Sequence, residues 1–500
     1  MKSFSRRIPF IVIITVVNLA GCAVGPDFRS PDMATPDHYT EAPLPDQTAS
    51  APSESTTAQR FAFAKDLPGE WWTLFRSPEL DKMIKKGLTD SPTLAAAQAS
   101  LHKSEEDLRA VSGSILYPAV NANLQAGRQR ISGNADAGPS DTYNLYNASV
   151  GVSYTLDLFG GGRRQIEAYQ AQIDYQSFIY EATYLTLAAN IVTAAIQEAS
   201  LREQIDVTKA ILVAEQRQLD VIQKQFELGA VSKTEVLAQE TELAMTKAGM
   251  APLEKQLDLN RHALSVLTGQ FPGDGKLPEF SLESLHLPEE LPVSLPSLLV
   301  RQRPDIRASE ALLHQACAAV GVTTANLYPQ ITLSAGYGFQ AVSTDILFNG
   351  ESVVWNFGAG LLQPLFRGGE LTAKRRSAIA AYDQAAAQYR QTVLKAFQDV
   401  ADVLRALETD ARTLQAQAEA EAASKSALVL IEKQYDLGAV SYPALLIAQR
   451  DYQKTRINVV AVKAQLYADT AALFQALGGG WWNRKSTSLN AKFIQEENEE

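Results

Sequence analysis

The sequence predicts an α+β membrane protein built from two copies of one unit, each a pair of amphipathic strands followed by a very long helical hairpin. Three observations lead there. The motif Leu228-Gly229-Ala230-Val231-Ser232 returns as Leu437-Gly438-Ala439-Val440-Ser441, inside an ordered series of shorter matches. Each copy carries two segments in which apolar and small polar residues alternate. Each also holds a long run free of proline and, past its opening glycines, of glycine: 161–228 and 369–437.

The repeat sets the domain plan. Leu116-Tyr117-Pro118 recurs as Leu327-Tyr328-Pro329, and Leu158-Phe159 before Gly161-Gly162 recurs as Leu365-Phe366 before Gly368-Gly369. Leu267-Thr268-Gly269 has its counterpart near Ala476-Leu477-Gly478. One match can arise by chance, but an ordered series at near-constant offset marks a tandem duplication. The expected plan is a leader at 1–21, an extended arm at 22–77, a first repeat at 78–270, a linker at 271–295, a second repeat at 296–479 and a tail at 480–500.

The expected strands are 116–130, 143–158, 327–341 and 352–366. In the first, Val120, Ala122, Leu124 and Ala126 alternate with Asn121, Asn123, Gln125 and Gly127. In the third, Ile331, Leu333, Ala335, Tyr337 and Phe339 alternate with Thr332, Ser334, Gly336, Gly338 and Gln340. Tyr146 to Leu156 and Val353 to Leu361 repeat the theme. A half-buried soluble sheet alternates too, but here the polar face is small and uncharged while the apolar face carries aromatics. That is the pattern of a membrane barrel with a watery lumen. Four strands cannot enclose an open lumen, because barrel diameter grows with strand number, so the chain must pool strands with identical neighbours. The strand loops, 132–141 and around 343–351, look too short to form a large plug.

The long helices are expected at 161–228, 232–269, 369–437 and 441–478, the longer ones ~100 Å at ~1.5 Å per residue. Their many alanines suit close helix packing. Gly229 and Gly438 supply left-handed caps, Ser232 and Ser441 start the next helices, and Ser232 with Glu235 spells a capping box. Each LGAVS is therefore the tip of a helical hairpin. Arg163-Arg164 and Lys374-Arg375-Arg376 follow the strands and are expected as interfacial anchors near lipid headgroups.

Lys2, Arg6 and Arg7 precede a short apolar run, Phe10 to Val17, and then Leu19-Ala20-Gly21-Cys22. This fits a lipoprotein leader cut before Cys22, with covalent N-acyl and S-diacylglycerol lipid on Cys22; an ordinary secretory leader is the alternative. Ala23 in place of an Asp favours the outer membrane. With Cys22 acylated, Cys317 has no partner and reads as a small buried apolar residue. No apolar run beyond the leader looks long enough for a membrane helix. The formal charge of −11 disfavours nucleic acid. Five scattered histidines and five methionines give no metal constellation. No nucleophile motif, phosphate loop or other catalytic or cofactor signature is apparent, so an enzyme is not expected.

Together these features resemble the outer membrane factor family, the TolC-like exit ducts of Gram-negative efflux systems, and within it the lipidated OprM/NodT-type branch. The resemblance covers nearly the whole mature chain. It rests on Cys22-Ala-Val-Gly-Pro-Asp27, WWTLFRSPELDKMI (71–84), RPDIRASEALL (303–313), LYPQITLSAGYG (327–338) and LGGGWW (477–482). It implies a homotrimer whose twelve-stranded barrel continues into a periplasmic α-helical barrel. It also implies a periplasmic membrane fusion (adaptor) protein and an inner-membrane pump, most often RND type, as partners in multidrug export.

The resemblance further places adaptor contacts at Gly229, Ala230, Val231, Ser232, Gly438, Ala439, Val440 and Ser441. It links Glu235 to Tyr435 across a gate closed at rest; a capping role for Glu235 stands beside this one. Relatives commonly carry constricting acids after the second tip, where this chain has Ala444 and Ile447, so an apolar ring of Leu446 or Ile447 is the expected departure. Rival readings are the outer component of a type I polypeptide secretion system and a non-conducting trimeric lipoprotein scaffold. The scaffold predicts no amphipathic strands.

Overall fold

The computed structural model describes residues 23–32, 36–51, 56–131, 141–274 and 277–484. The leader, Cys22, most of the first strand loop and the acidic tail lie outside the described residues. The chain forms two compact units, one drawn from 1–32, 99–177 and 308–390, the other from 33–98, 178–307 and 391–500.

In the first unit, helix α2 (Pro92–Leu116) ends just before Pro118 and strand β2 (Ala119–Ile131) begins. With β3 (Asp141–Leu156), β5 (Gln330–Ala341) and β6 (Val353–Leu362) it forms an antiparallel sheet in the order β2-β3-β5-β6. The register sorts the side chains into rows. Ala122, Val150, Tyr337 and Trp355 stand side by side, as do Leu124, Ala148, Phe339 and Val353. One residue along, Asn121, Gly151, Gly336 and Asn356 form a row, and Thr155 meets Thr332 with hydroxyls 3.2 Å apart. Within one chain the apolar face is bare: Leu124 is 81 % and Trp355 75 % exposed. No described strand pairs with the outer edges of β2 or β6. The last strand stops at Leu362, short of the expected 366, because Pro364 has no N–H to donate to a ladder.

One residue of the basic clusters departs from expectation. Arg164 is buried and ion-paired with Asp27 and Glu167 rather than offered to headgroups. Arg163 pairs with Asp157 at 3.4 Å, Lys374 with Glu370 at 2.5 Å, and Arg375 donates to Thr324 at 3.3 Å. Arg163 and Lys374 stay exposed while paired.

In the second unit, the arm is not simply extended. Strand β1 (Arg60–Phe63) pairs in parallel with β4 (Glu290–Val293) from the inter-repeat linker, and Glu290 bridges Arg60 and Lys65. A short 3-10 turn, Trp71–Phe75, then drives Trp71, Trp72 and Phe75 into a core where Phe474 and Tyr467 meet their rings. Helix α1 (Pro78–Asp90) follows, capped by the Ser77 hydroxyl. The family-like stretches meet here. Arg303, just before helix α6 (Pro304–Ala325), grips Asp305 with two nitrogens at 2.7 and 3.0 Å, reaches Asp399 at 3.1 Å and donates to the Ala476 carbonyl. Short helix α5 (Pro296–Gln302) ends in a carbonyl that accepts from the Trp481 indole at 2.7 Å.

The long helices are α3 (Gly161–Glu227), α4 (Lys233–Leu267), α7 (Glu370–Asp436) and α8 (Tyr442–Ala476). Both α3 and α7 start in the first unit and end in the second. Among the described residues, α3 alone contains an 18-residue window apolar enough to cross a membrane. Its Ile191, Val192, Ala195 and Ile196 are buried in the protein, and 39 % of that window is buried.

Arg303→Ala takes the guanidinium from Asp305, Asp399 and the Ala476 carbonyl at once, leaving Asp399 with Lys395. It is expected to cost roughly 3 kcal/mol, read from a urea titration followed by tryptophan emission. A loss near 0.5 kcal/mol, the scale of a surface pair, would show that these contacts are peripheral.

Candidate functional site at the helical hairpin tips

Both tips lie in the second unit and are built alike. The N–H of Gly229 bonds the Phe226 carbonyl at 2.9 Å and that of Ala230 bonds Gln225 at 2.8 Å; Gly438 and Ala439 repeat this on Tyr435 and Gln434, both at 2.8 Å. This double bond pattern requires a left-handed residue, and Gly229 and Gly438 have φ of 73° and 69°. Nothing lies within 4 Å of a Cβ added to either glycine. Gly229, Ala230, Ser232, Gly438, Ala439 and Ser441 are exposed, while Val231 and Val440 are half-buried.

Behind the tips one apolar cluster ties the two hairpins together. Leu219 and Ile222 of α3 and Val236 and Leu243 of α4 pack with Tyr442, Leu445 and Leu446 of α8, and Val231 and Tyr435 lean against them. Leu446 is only 8 % exposed, so it is a core residue and not a candidate for the constricting ring. Ile447, 58 % exposed on the next position of the same helix, keeps that possibility.

The expected capping box is not made. Ser232 gives no side-chain bond to the backbone of α4; its hydroxyl donates to a Glu235 carboxylate oxygen at 3.4 Å. Glu235 and Tyr435 share no hydrogen bond among the described residues. Burial pushes the Tyr435 phenol up, and the negative charges of Glu235 and Asp436 push it further. The Tyr435 ring instead leans on Tyr442, centroids 5.7 Å apart.

The bonds that cross between hairpins sit one layer deeper. The Tyr442 hydroxyl donates to Gln239 Oε1, and Gln239 Nε2 donates to the Glu215 carbonyl at 3.0 Å, joining α8 to α4 and α3. Glu215 Oε1 accepts from Thr246 at 3.0 Å and Gln453 at 2.9 Å. Its other oxygen is buried without a partner, and desolvation holds the carboxyl above its usual range. Arg450 pairs with the nearly buried Glu242. Sequence reading missed this layer. Its only trace is a set of glutamates and glutamines inside otherwise apolar helical stripes, scattered over three helices. The arrangement offers no catalytic dyad; it holds helices together through bonds that water would replace once the hairpins part.

The chain matches the model of the outer membrane efflux protein family twice, at 83–270 and 295–479. It is 29 % identical over 449 residues to the pyoverdine export outer membrane protein OpmQ of Pseudomonas aeruginosa, covering 88 % of this chain and 94 % of that one. It is 29 % identical over 477 residues to the toluene efflux pump outer membrane protein TtgC of Pseudomonas putida, covering 94 % and 95 %. The cation efflux system protein CusC of Escherichia coli is 26 % identical, with 95 % and 99 % covered. Among solved structures, the outer-membrane channel OprN superposes with a TM-score of 0.83 at 25 % identity over 92 % of this chain and all of that one. The open state of the Neisseria gonorrhoeae MtrE channel gives 0.78 at 25 % identity, covering 93 % and 100 %. With both repeats matched and the whole architecture shared, the chain belongs to the outer membrane efflux protein family and is an outer-membrane exit duct of an efflux system.

Proposed function

We propose that three copies of this chain pool their sheets into a twelve-stranded barrel, and that the resulting duct is passive, catalyses no reaction and is gated at the hairpin tips. The observation that carries this is the sheet, apolar on one face and open at both edges, which no single chain can close. A periplasmic adaptor engages the tip residues Gly229 to Ser232 and Gly438 to Ser441. An inner-membrane pump of the RND type supplies the energy. Acyl chains on Cys22 add an anchor to the outer membrane. The relatives are named for pyoverdine, toluene and cations, so a shared exit with cargo chosen by the pump is the reading that fits them.

At rest the tips are held by the apolar cluster and the Tyr442–Gln239–Glu215 chain of bonds. Opening must break these, so the strength of that layer sets the resting conductance. Ile447, placed where acids would attract cations, narrows the entrance without charge.

Single-channel recording in planar bilayers tests the gate. Tyr442→Phe with Gln239→Leu is expected to raise the resting conductance severalfold, and more than Tyr435→Phe with Glu235→Ala. Equal, low conductance in both would move the gate away from the tips. No channels from an inserted wild-type trimer would end the duct reading. Ile447→Asp is expected to shift the reversal potential towards cation selectivity, and an unchanged potential would remove Ile447 from the constriction.

The pH response follows from Glu215. Its folded pKa is raised, by burial first and by Glu242 next, with Gln453, Thr246 and Arg450 pulling the other way. A raised acid favours the folded, closed layer below its pKa, and that contribution is lost as pH rises through it. Resting conductance should therefore fall as pH drops through the raised Glu215 pKa, and Glu215→Gln should flatten the response.

A further inference from the structure

The first ten described residues, Ala23 to Asp32, run antiparallel along α6, over side chains at helical spacing. Ser30 donates to Glu310, and the Phe28 ring stacks on His314 with centroids 4.3 Å apart and planes 15° from parallel. The Cys317 thiol reaches the Pro26 carbonyl at 3.6 Å. Gly25 then meets Gly321 backbone to backbone: its φ is 101°, and a Cβ there would stand 2.5 Å from the Gly321 Cα. The strap ends at the corner between β3 and α3, where the Val24 N–H donates to the Phe159 carbonyl at 3.0 Å. There a Cβ on Gly160 would fall 2.6 Å from the Ala23 Cα.

Arg164, at the start of α3, lies beneath this strap. Its side chain is 7 % exposed, with Asp27 at 2.5 Å on one nitrogen and Glu167 at 2.7 Å on another. Glu167 also takes the His314 imidazole at 2.9 Å, so it serves two partners. Gly321 has no Cβ because the Arg164 methylenes occupy that space, 2.7 Å from where it would sit. The Arg164 Nε is buried without a partner. Glu167 meets the guanidinium from within the fold, and the strap brings a second carboxylate, Asp27, from the solvent side, 86 % exposed.

We infer that the α6 stripe and Arg164 form a receptor for this chain's own N-terminal peptide, that Asp27 and Phe28 are the residues it reads, and that docking fixes Ala23 at the β3–α3 corner. Arg164 is thus a positioning residue for the membrane anchor. With lipid on Cys22, as proposed above, the docked strap makes the acyl chains enter the bilayer at the level where strand becomes helix. Undocked, ten residues would give the anchor up to ~33 Å of slack. The docking itself depends neither on the lipid nor on the gate.

Cys317 reports the strap, since it is buried beneath it and burial pushes its thiol up. In vesicle-inserted protein, maleimide should label Cys317 slowly. Asp27→Ala should speed labelling roughly fivefold, the scale of an exposed ion pair, Phe28→Ala should also speed it, and the double variant should exceed both. Tryptophan emission, dominated by the buried second-unit indoles, should stay constant. Should Asp27→Ala shift that emission, Phe28→Ala alone decides. Labelling unchanged in the double variant would overturn the inference. So would loss of protection in Cys22→Ser exported behind an ordinary secretory leader, because the lipid and not the clasp would then be the fastener.

Discussion

The free edges of β2 and β6 impose the condition that the rest of the molecule answers. A row of unpaired N–H and C=O groups cannot rest in hydrocarbon, where each costs several kcal/mol, and cannot safely rest in water beside an apolar face. Pairing with further copies of the same chain satisfies both edges at once. The duplication inside each chain follows naturally from that demand. Two hairpins in series supply four strands and two helical arms from one folding unit, and the same glycine turn serves both arms.

Satisfying the membrane sheet leaves the helices to be held by other means. The second unit does this with a small aromatic core and two arginine hubs, Arg303 and Arg484. The latter sits 2.5 Å from Glu181 and stacks over Tyr184 at 4.0 Å. Apolar packing is concentrated there, while the tips depend on fewer side chains and a hydrogen-bonded layer. Large apolar side chains and the polar layer thus fall on different stretches of the same helices.

Much of the architecture was legible because its signals are local. The breaker-free run starting at Gly161 gives a helix to Glu227, and the alternation after each Tyr-Pro gives strands facing as expected. The glycines at the tips announce themselves because only a left-handed residue closes that turn. What escaped was non-local. The β1–β4 pair joins residues far apart in sequence over only four positions each, too short for periodicity to show. Arg164 reads as a surface cation until Asp27 is brought to it. Leu446 and Ile447 are indistinguishable in sequence, and the helix phase alone buries one and exposes the other. Ser232 and Glu235 spell a cap yet bond each other, and the Gln239–Tyr442 contact joins helices that no local pattern relates.

The two faces of the sheet differ in bulk as well as polarity. One carries Tyr337, Trp355 and Phe357; the other carries Gly151, Gly336, Gly338, Gly358 and Gly360 across three adjacent strands. A sheet bends most easily towards the side where side chains crowd least. The glycine-rich face can therefore become concave with little steric resistance, while the aromatic rows fan apart on the convex side. The direction of curvature is then decided before any partner arrives. A large residue at Gly338, where an added Cβ would already press on the Ala148 carbonyl and Ser149, would stiffen the wall against the bend that closure demands.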